Sequence, residues 1–588
     1  KLQQEDALRR TKVTFTEGYG YAGEVQTAEP SGGNYTAALS GAGTSGDAYV
    51  VSTPEALAWV AWQVNQNANT VTELYVELGA GIDLAGLDYT GKAADGVGDK
   101  YKNCLKWMPM GTYRGSGTPG STFTGGFDGK NLPIKNLYVN GPNYYAALIG
   151  YMGSSTVDTT VKNIVLKSGY SSTTAYASAL IGEVIGRVQV QNCRNEGVSV
   201  ETTTGSIAGG LVASAARGNS LVLERCSNHA PVTSISDASG LVGSYAYGAT
   251  VNNCYNTGHI EAIGAGGKAA GIYSRTDSSI RISNSYNAGE IVVPSSGTAY
   301  AVGSPDATMS NCWYDSEKAS DVTPRAGATG VTPTQLKSWG AAFQLNGGTS
   351  LSSVNNASTW RMANVGENDG YPVPIAAGTT GSAGHLRAAS TWLEVGAWVD
   401  TFATNLKPGA ASGATGTLGS SGNKYQISRP EQLAWLSYIS RDGSAHVGGH
   451  SAKLTTDISL DGATYTGQTE AAVISDVKKA LQWRGIGFRT EGDNYSLAYR
   501  STFDGGECTV THLYEELDDT AKDENVGLFN ILGDGAVVSD FAVNSSYLSV
   551  AAQDRGVGAI TGMLSNNATV KKCAAGVGVS IVASGASN

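Results

Sequence analysis

The sequence predicts an all-β chain: two tandem parallel β-solenoid modules, right-handed β-helix-like, each opened by a short capping α-helix. Three observations predict it. A pattern recurs around Cys193, Cys226, Cys254, Ser285 and Cys312, with steps of 33, 28, 31 and 27 residues between neighbouring numbers. Between these anchors, Val188-Gln189-Val190, Leu221-Val222-Leu223 and Ile280-Arg281-Ile282 alternate with period two, as strands do. Finally, YVVSTPEALAWV from Tyr49 returns as YQISRPEQLAWL from Tyr425, an offset of 376 residues (425 − 49).

That offset also pairs Ile82 with Ile458, Tyr89 with Tyr465, Trp107 with Trp483, Phe127 with Phe503, Asp128 with Asp504 and Tyr138 with Tyr514. The chain therefore reads as an N-terminal extension over 1–48, a first module over 49–376, a connecting segment over 377–424 and a second module over 425–588. The second module reads as incomplete, because nothing in it corresponds to the closing NDGYPVPI from Asn368.

Each module opens with a helix signal. Ser52-Thr-Pro-Glu55 and Ser428-Arg-Pro-Glu431 have the form of capping boxes with Pro in the first turn. An open coil left bare would recruit other strands, so these helices are expected as lids. Thr332-Pro-Thr-Gln335 marks another helix near the end of the first module. TWLEVGAWV in the connecting segment, and VTFTEGYGYAG from Val13 before the first module, read as small packed extensions.

Within each coil the spacing is too short for a propeller blade of about 40 residues. Two residues after the anchors stand Asn195, Asn228, Asn256 and Asn287, then Gly197, Ala230, Gly258 and Gly289. Asn-x-Gly suits a corner, because both residues tolerate left-handed backbone. Stacked Asn side chains can also form an amide ladder. Ala147-Leu148-Ile149-Gly150, Ala179-Leu180-Ile181-Gly182, Gly210-Leu211-Val212 and Gly240-Leu241-Val242-Gly243 supply another inward strand.

Of the 7 cysteines, five (Cys193, Cys226, Cys254, Cys312 and Cys573) take the anchor position. Parallel thiols pointing one way suit stacking better than disulfide geometry, and there is no CxxC. Cys104 and Cys508 fall outside this pattern.

These residues make the chain resemble the GLUG-motif proteins, whose Gly-Leu-x-Gly is Gly240-Leu241-Val242-Gly243 here. TPEALAWV, FTGGFDGKNLPIKNLYV from Phe123, SNCWYD from Ser310 and DGYPVP also resemble such modules. The resemblance implies a parallel β-solenoid on large secreted or surface-anchored bacterial proteins, often adhesin-like and sometimes joined to IgA-directed metallopeptidases. Ala270-Gly271-Ile272-Tyr273 departs from the motif.

Chemistry is sparse. Charged residues make up 15% of the chain and its net charge is −11, without a basic block, so nucleic acid is not an expected partner. No transmembrane segment of roughly 20 apolar residues is present. HExxH, GxSxG and P-loop patterns are absent, so no catalytic residue, cofactor or metal is assigned. His446 and His450 in AHVGGH read as a loop. Asp128-Gly129 and Asp504-Gly505 read as Asx turns rather than calcium or sugar pockets. Glu196, Glu224, Glu290 and Asp315 are scattered. Tyr255, Tyr286 and Trp313 share a coil position; these rings are expected to shield the adjacent coil, and are otherwise the candidate ligand-contacting aromatics. The expectation is a non-enzymatic secreted or cell-surface adhesin-like protein, extracellular on a bacterium, contacting a host or bacterial surface glycan or protein. The alternative is a polysaccharide-cleaving β-helix enzyme, a lyase or glycoside hydrolase.

Overall fold

The computed structural model describes residues 40–66, 71–84, 107–113, 119–140, 144–204, 207–276, 279–348, 359–375, 386, 389–441, 450–460, 481–488, 497–517, 524–551, 555–565 and 567–583. The chain divides into two compact units. The first is Lys1–Leu336 with Val365–Asp369 and Val373–Gly384; the second is Lys337–Asn364 with Gly370–Pro372 and His385–Asn588.

The first unit is a parallel β-solenoid. One coil runs through Ala249–Asn252, Tyr255–Asn256, Ile260–Ala262 and Lys268–Ala270 and returns at Ile280–Ser283. Each piece pairs in parallel with its equivalents in neighbouring coils. Four faces result: a long face, a ladder face through Tyr255, a third face and a fourth face. On the long face Val76, Phe127, Val161, Val190, Leu223, Val251, Ile282 and Met309 follow one another in register. All are buried. This single file explains the period-two alternation: outward neighbours such as Thr160, Gln189, Thr250 and Arg281 are polar because they meet water. Leu148, Leu180, Leu211, Leu241, Ile272 and Val302 make a second buried file, as the Gly-Leu-x-Gly pattern predicts.

The anchors stand in a file. Arg194, Ser227, Tyr255, Tyr286 and Trp313 are paired in register, and the anchor precedes each. Cys193, Cys226, Cys254 and Cys312 are buried and free. Burial pushes the Cys193 and Cys254 thiols up, and that of Cys312 up to about 12. The amide ladder is also present: Asn195 donates to Asn228, Asn228 to Asn256 and Asn256 to Asn287, each at 2.8 Å. Leaving one such buried group unpaired costs about 1–3 kcal/mol.

The corner is not where Asn-x-Gly places it. The left-handed residue immediately precedes the anchor: Asn192 (φ 51°), Arg225 (57°), Asn253 (54°), Asn284 (47°) and Asn311 (51°). Gly258 and Gly289 serve close approach instead. A Cβ there would stand 2.1 and 2.0 Å from the preceding coil's carbonyl oxygens, those of Ala230 and Gly258. By the same criterion Cys508 joins an anchor file. It follows left-handed Glu507, and Phe541 and Cys573 follow Asp540 and Lys572 in register with it.

Helix α1 (Pro54–Gln66) covers the first coil, burying Ala56, Leu57, Val60, Ala61 and Val64 in the same core as Val76 and Phe127. Its cap lies one residue later than predicted, since the Ala56 N–H donates to Thr53 Oγ1 at 3.2 Å. Helix α2 (Pro333–Leu336) does carry the reciprocal box. The Thr332 N–H donates to Gln335 Oε1 at 2.9 Å, and the Gln335 N–H to Thr332 Oγ1 at 3.3 Å.

The second unit holds helices α3 (Trp339–Leu345), α4 (Trp392–Thr401) and α5 (Pro430–Ile439), which opens its coils. The cap of α5 is Arg429, without a side-chain bond; Ser428 binds Gln432 instead. TWLEVGAWV is the packed helix α4. It lies so close to α5 that a Cβ on Gly396 would stand 2.3 Å from the Ala434 carbonyl oxygen. The coils continue in parallel through Tyr425–Ile427, Ala452–Leu454, Thr502–Thr511, Val537–Asn544 and Thr569–Ala575. VTFTEGYGYAG, Cys104 and His446 lie outside the described residues.

Candidate functional site

The three sequence-predicted aromatics do share one file. Tyr255 and Tyr286 stack with centroids 5.0 Å apart and ring planes 12° apart, and Trp313 is in register after them. They are shielded, with Tyr255 3%, Tyr286 0% and Trp313 7% exposed. Asn368 donates to the Tyr286 hydroxyl at 2.8 Å, so the segment Val365–Asp369, far away in sequence, reaches these rings. In this structure the ring faces are packing surface.

Beside them lies a polar network of catalytic residue types. His229 Nε2 is 3.0 Å from Ser227 Oγ and 3.2 Å from the Tyr255 hydroxyl, while Nδ1 is 2.9 Å from Thr257 Oγ1. Burial lowers the imidazole to about 4. A Ser–His pair needs a carboxylate on the second nitrogen to stabilise the imidazolium. Here a threonine hydroxyl occupies it, and Ser227 is only 1% exposed. The network satisfies buried groups.

Each of the scattered acids has its own partners. Glu196 is held by Lys167 and Arg194, Glu224 accepts from Asn252 and Asn253, and Asp315 caps the Glu317 and Lys318 N–H groups. Glu290 lies in a groove of about 630 Å³ with His259, Glu317, Lys318 and Asp321. His259 Nδ1 is 3.0 Å from Glu290, and Nε2 is 3.7 Å from Glu261. Among the described residues no group of three or more His, Cys, Asp or Glu side chains could hold a metal ion.

A second groove, about 350 Å³, lies on the outer side of the long face. Tyr75, Glu77, Asp128, Lys130, Asp158, Thr160 and Lys162 line it, above Gly125 and Gly126. Parallel register builds it: Tyr75, Gly126 and Thr160 form one outward row, and Glu77, Asp128 and Lys162 the next. Asp128 Oδ1 accepts the Lys130 N–H and the Asn163 amide, both at 2.9 Å. Burial works against its charge. The Asn163 and Lys130 bonds and the Lys130 and Lys162 ammonium groups outweigh burial and hold the carboxyl below its ordinary value. The predicted Asx turn is thus present, and the same carboxylate forms part of a groove wall. Tyr75, Lys130 and Lys162 were not marked by their sequence context. The usable signal was the position 376 residues on, where Ser451 and Gly506 replace Tyr75 and Lys130.

Stacked parallel coils, lidded at the opening end, define the class: a β-solenoid protein. Neither a protein-family model nor a curated protein matches the chain. Among solved structures it is similar to a "putative immunoglobulin A1 protease" from Bacteroides ovatus, at 19% identity and a TM-score of 0.41, over 56% of this chain and 93% of that one.

Proposed function

We propose that this is an exported, adhesin-like bacterial surface protein without enzymatic activity, whose solenoid units hold a binding surface on a stiff body. The observation that carries the reading is the run of stacked parallel coils in the first unit. Its inner files of Cys, Asn and Leu are fully satisfied, while the outer rows vary from coil to coil. Such a body resists bending and leaves its outer faces for recognition. The resemblance to GLUG-motif modules and the low charge of the sequence support it. The partner would be a host or bacterial surface glycan or protein, met outside the cell.

The test is to probe arrays of glycans and host glycoproteins with the intact chain while assaying the same mixtures for new reducing ends or unsaturated products. Retention without cleavage is expected. Cleavage that disappears in Glu290→Gln would replace the reading with that of a polysaccharide-cleaving enzyme. Binding to nothing would leave only a spacer role.

A further inference from the structure

We infer that the groove around Tyr75 is a binding site for a neutral, hydroxyl-rich ligand, a segment of uncharged glycan, with the Tyr75 ring as its stacking platform. The inference rests on the reading above that the outer faces are for recognition, and it names the face and the ligand class.

The first support is how the ring is accommodated. Tyr75 and Gly126 are register partners, and a Cβ on Gly126 would stand 3.0 Å from the Tyr75 ring. Glycine at 126 therefore lets a large ring lie across the sheet, where a side chain would prop it away. The tyrosine is half-buried and lines the groove.

Charge is the second support. Lys130 Nζ is 2.8 Å from Glu77 and 3.4 Å from Asp128, Lys162 Nζ is 3.5 Å from Asp128, and Arg187 Nε is 2.7 Å from Asp158. Glu77, Asp128 and Asp158 thus each sit beside a base, and Glu73 accepts from the Tyr75 hydroxyl at 3.1 Å. Donors and acceptors are plentiful, since Lys130 and Lys162 side chains are 44% and 48% exposed, and the charges that line the groove are paired within its wall. A ligand carrying many hydroxyls and no charge fits such a wall. The volume falls in the usual range for small-ligand sites, roughly 300–1,000 Å³.

The second unit supplies an internal contrast. At the offset of 376, Tyr75 becomes Ser451, Gly126 becomes Thr502, Glu77 becomes Lys453 and Lys130 becomes Gly506. The register partner of Asp504 is Ser539, where that of Asp128 is Lys162. The ring and the glycine that admits it are exchanged together. Ser451 Oγ accepts the Thr502 N–H at 3.2 Å, so that site is satisfied within the sheet. The fold accommodates either pair, so the tyrosine–glycine pair is free to serve binding.

The experiment titrates the intact chain with cellohexaose, maltohexaose and mannohexaose as neutral probes and a heparin hexasaccharide as the anionic one, by calorimetry. One neutral probe is expected to bind, with little change between about 50 and 500 mM salt. Tyr75→Ala and Gly126→Thr should each weaken it at least about tenfold, and Tyr75→Phe by less than about threefold. Thermal midpoints recorded alongside separate this from unfolding. A neutral probe that binds Tyr75→Ala unchanged would sink the groove assignment and leave the adhesive reading standing. Exclusive or strongly salt-dependent binding of the heparin probe would overturn the ligand class, as would binding of no probe.

Discussion

The two copies solve the same problem under their opening helices with different residues. In the first, Asn65 at the end of α1 donates to the Pro109 carbonyl oxygen at 3.2 Å and accepts the Gly111 N–H at 2.8 Å. In the second, Arg441 replaces Asn65 and donates to the Gly485 carbonyl oxygen at 3.2 and 3.1 Å, while the neighbouring Ser440 accepts the Gly487 N–H at 2.8 Å. Both glycines are left-handed, at φ 83° and 78°. The aromatic pairs Tyr49–Trp59 and Tyr425–Trp435 keep their edge contacts at 5.7 and 5.0 Å. What persists is the backbone group that must be satisfied; the side chain that satisfies it is exchangeable.

The sharpest difference lies one layer in. Position 139 is a buried valine, and its counterpart is Glu515, a fully buried carboxyl that accepts the Gly527 N–H at 3.0 Å and the Gly485 N–H at 3.4 Å. The counterpart of Gly485 is Pro109, which has no N–H to satisfy. Proline with valine and glycine with glutamate are thus two complete solutions, and mixing them should be costly. Glu515→Val is expected to destabilise the second unit by about 3 kcal/mol, because it orphans two buried donors. Adding Gly485→Pro should not recover that, because a Cβ at this position would stand 2.5 Å from the Asn530 backbone nitrogen. Denaturant unfolding of the three proteins reads this directly; a fully neutral Glu515→Val would break the comparison.

The same carboxyl makes that unit sensitive to pH. Burial lifts it to about 8 from 4.5, with Glu524 pushing the same way while the Gly527 bond, Arg441 and Arg484 oppose. Since the folded value exceeds the unfolded one, the bound proton stabilises the fold. That contribution is complete below about pH 4.5 and is lost as pH rises through about 8. Between pH 6 and 9 the loss should be on the order of 2–3 kcal/mol. Glu515→Gln should flatten this dependence.

Much of this was readable in the sequence, for a definite reason. A file of like residues repeats at coil spacing, so Cys193, Cys226 and Cys254 and the Asn195–Asn287 ladder announce themselves. The corner was misplaced because Asn occurs on both sides of the anchor, and because Arg225 interrupts the left-handed set. Nothing local distinguishes an Asn chosen for its backbone from one chosen for its amide. Glu515 stands next to Glu516 in the sequence, and strand alternation sends one in and one out. Comparison with Val139 would have flagged it. The covering of Tyr286 by Asn368 joins residues 82 apart, and no local pattern carries that.

A smaller effect should sharpen the Asn65 comparison. Asn65 carries two backbone bonds and lies 3.4 Å from Ser121 Oγ, whereas Arg441 and Ser440 divide the work. Asn65→Ala should therefore cost about 2 kcal/mol and Ser440→Ala about 1 kcal/mol. Hydrogen exchange at Gly111 and Gly487 measures each site separately. Equal costs would mean that the divided arrangement is no more tolerant than the single one.

The smallest expected effect concerns Asp128 and Asp504, where turn and charge can be separated. Each carboxylate accepts the N–H two residues on, from Lys130 at 2.9 Å and from Gly506 at 3.0 Å. Each turn then passes through two left-handed residues, Lys130 and Asn131 or Gly506 and Glu507. The cations differ: Lys130 and Lys162 serve Asp128, while Lys424 and Lys453 serve Asp504. Both carboxyls are held below 3.8, so their contribution is present above that pH and is lost as pH falls through the lowered value. If the turn is what the two copies share, Asp128→Ala and Asp504→Ala should cost similar amounts, about 1 kcal/mol each. Lys162→Ala and Lys453→Ala should cost less than about 0.5 kcal/mol, because these ammonium groups are exposed and water screens them. A lysine substitution as costly as the aspartate one, and relieved by salt, would show instead that the pairing of charges preserved this position through the duplication.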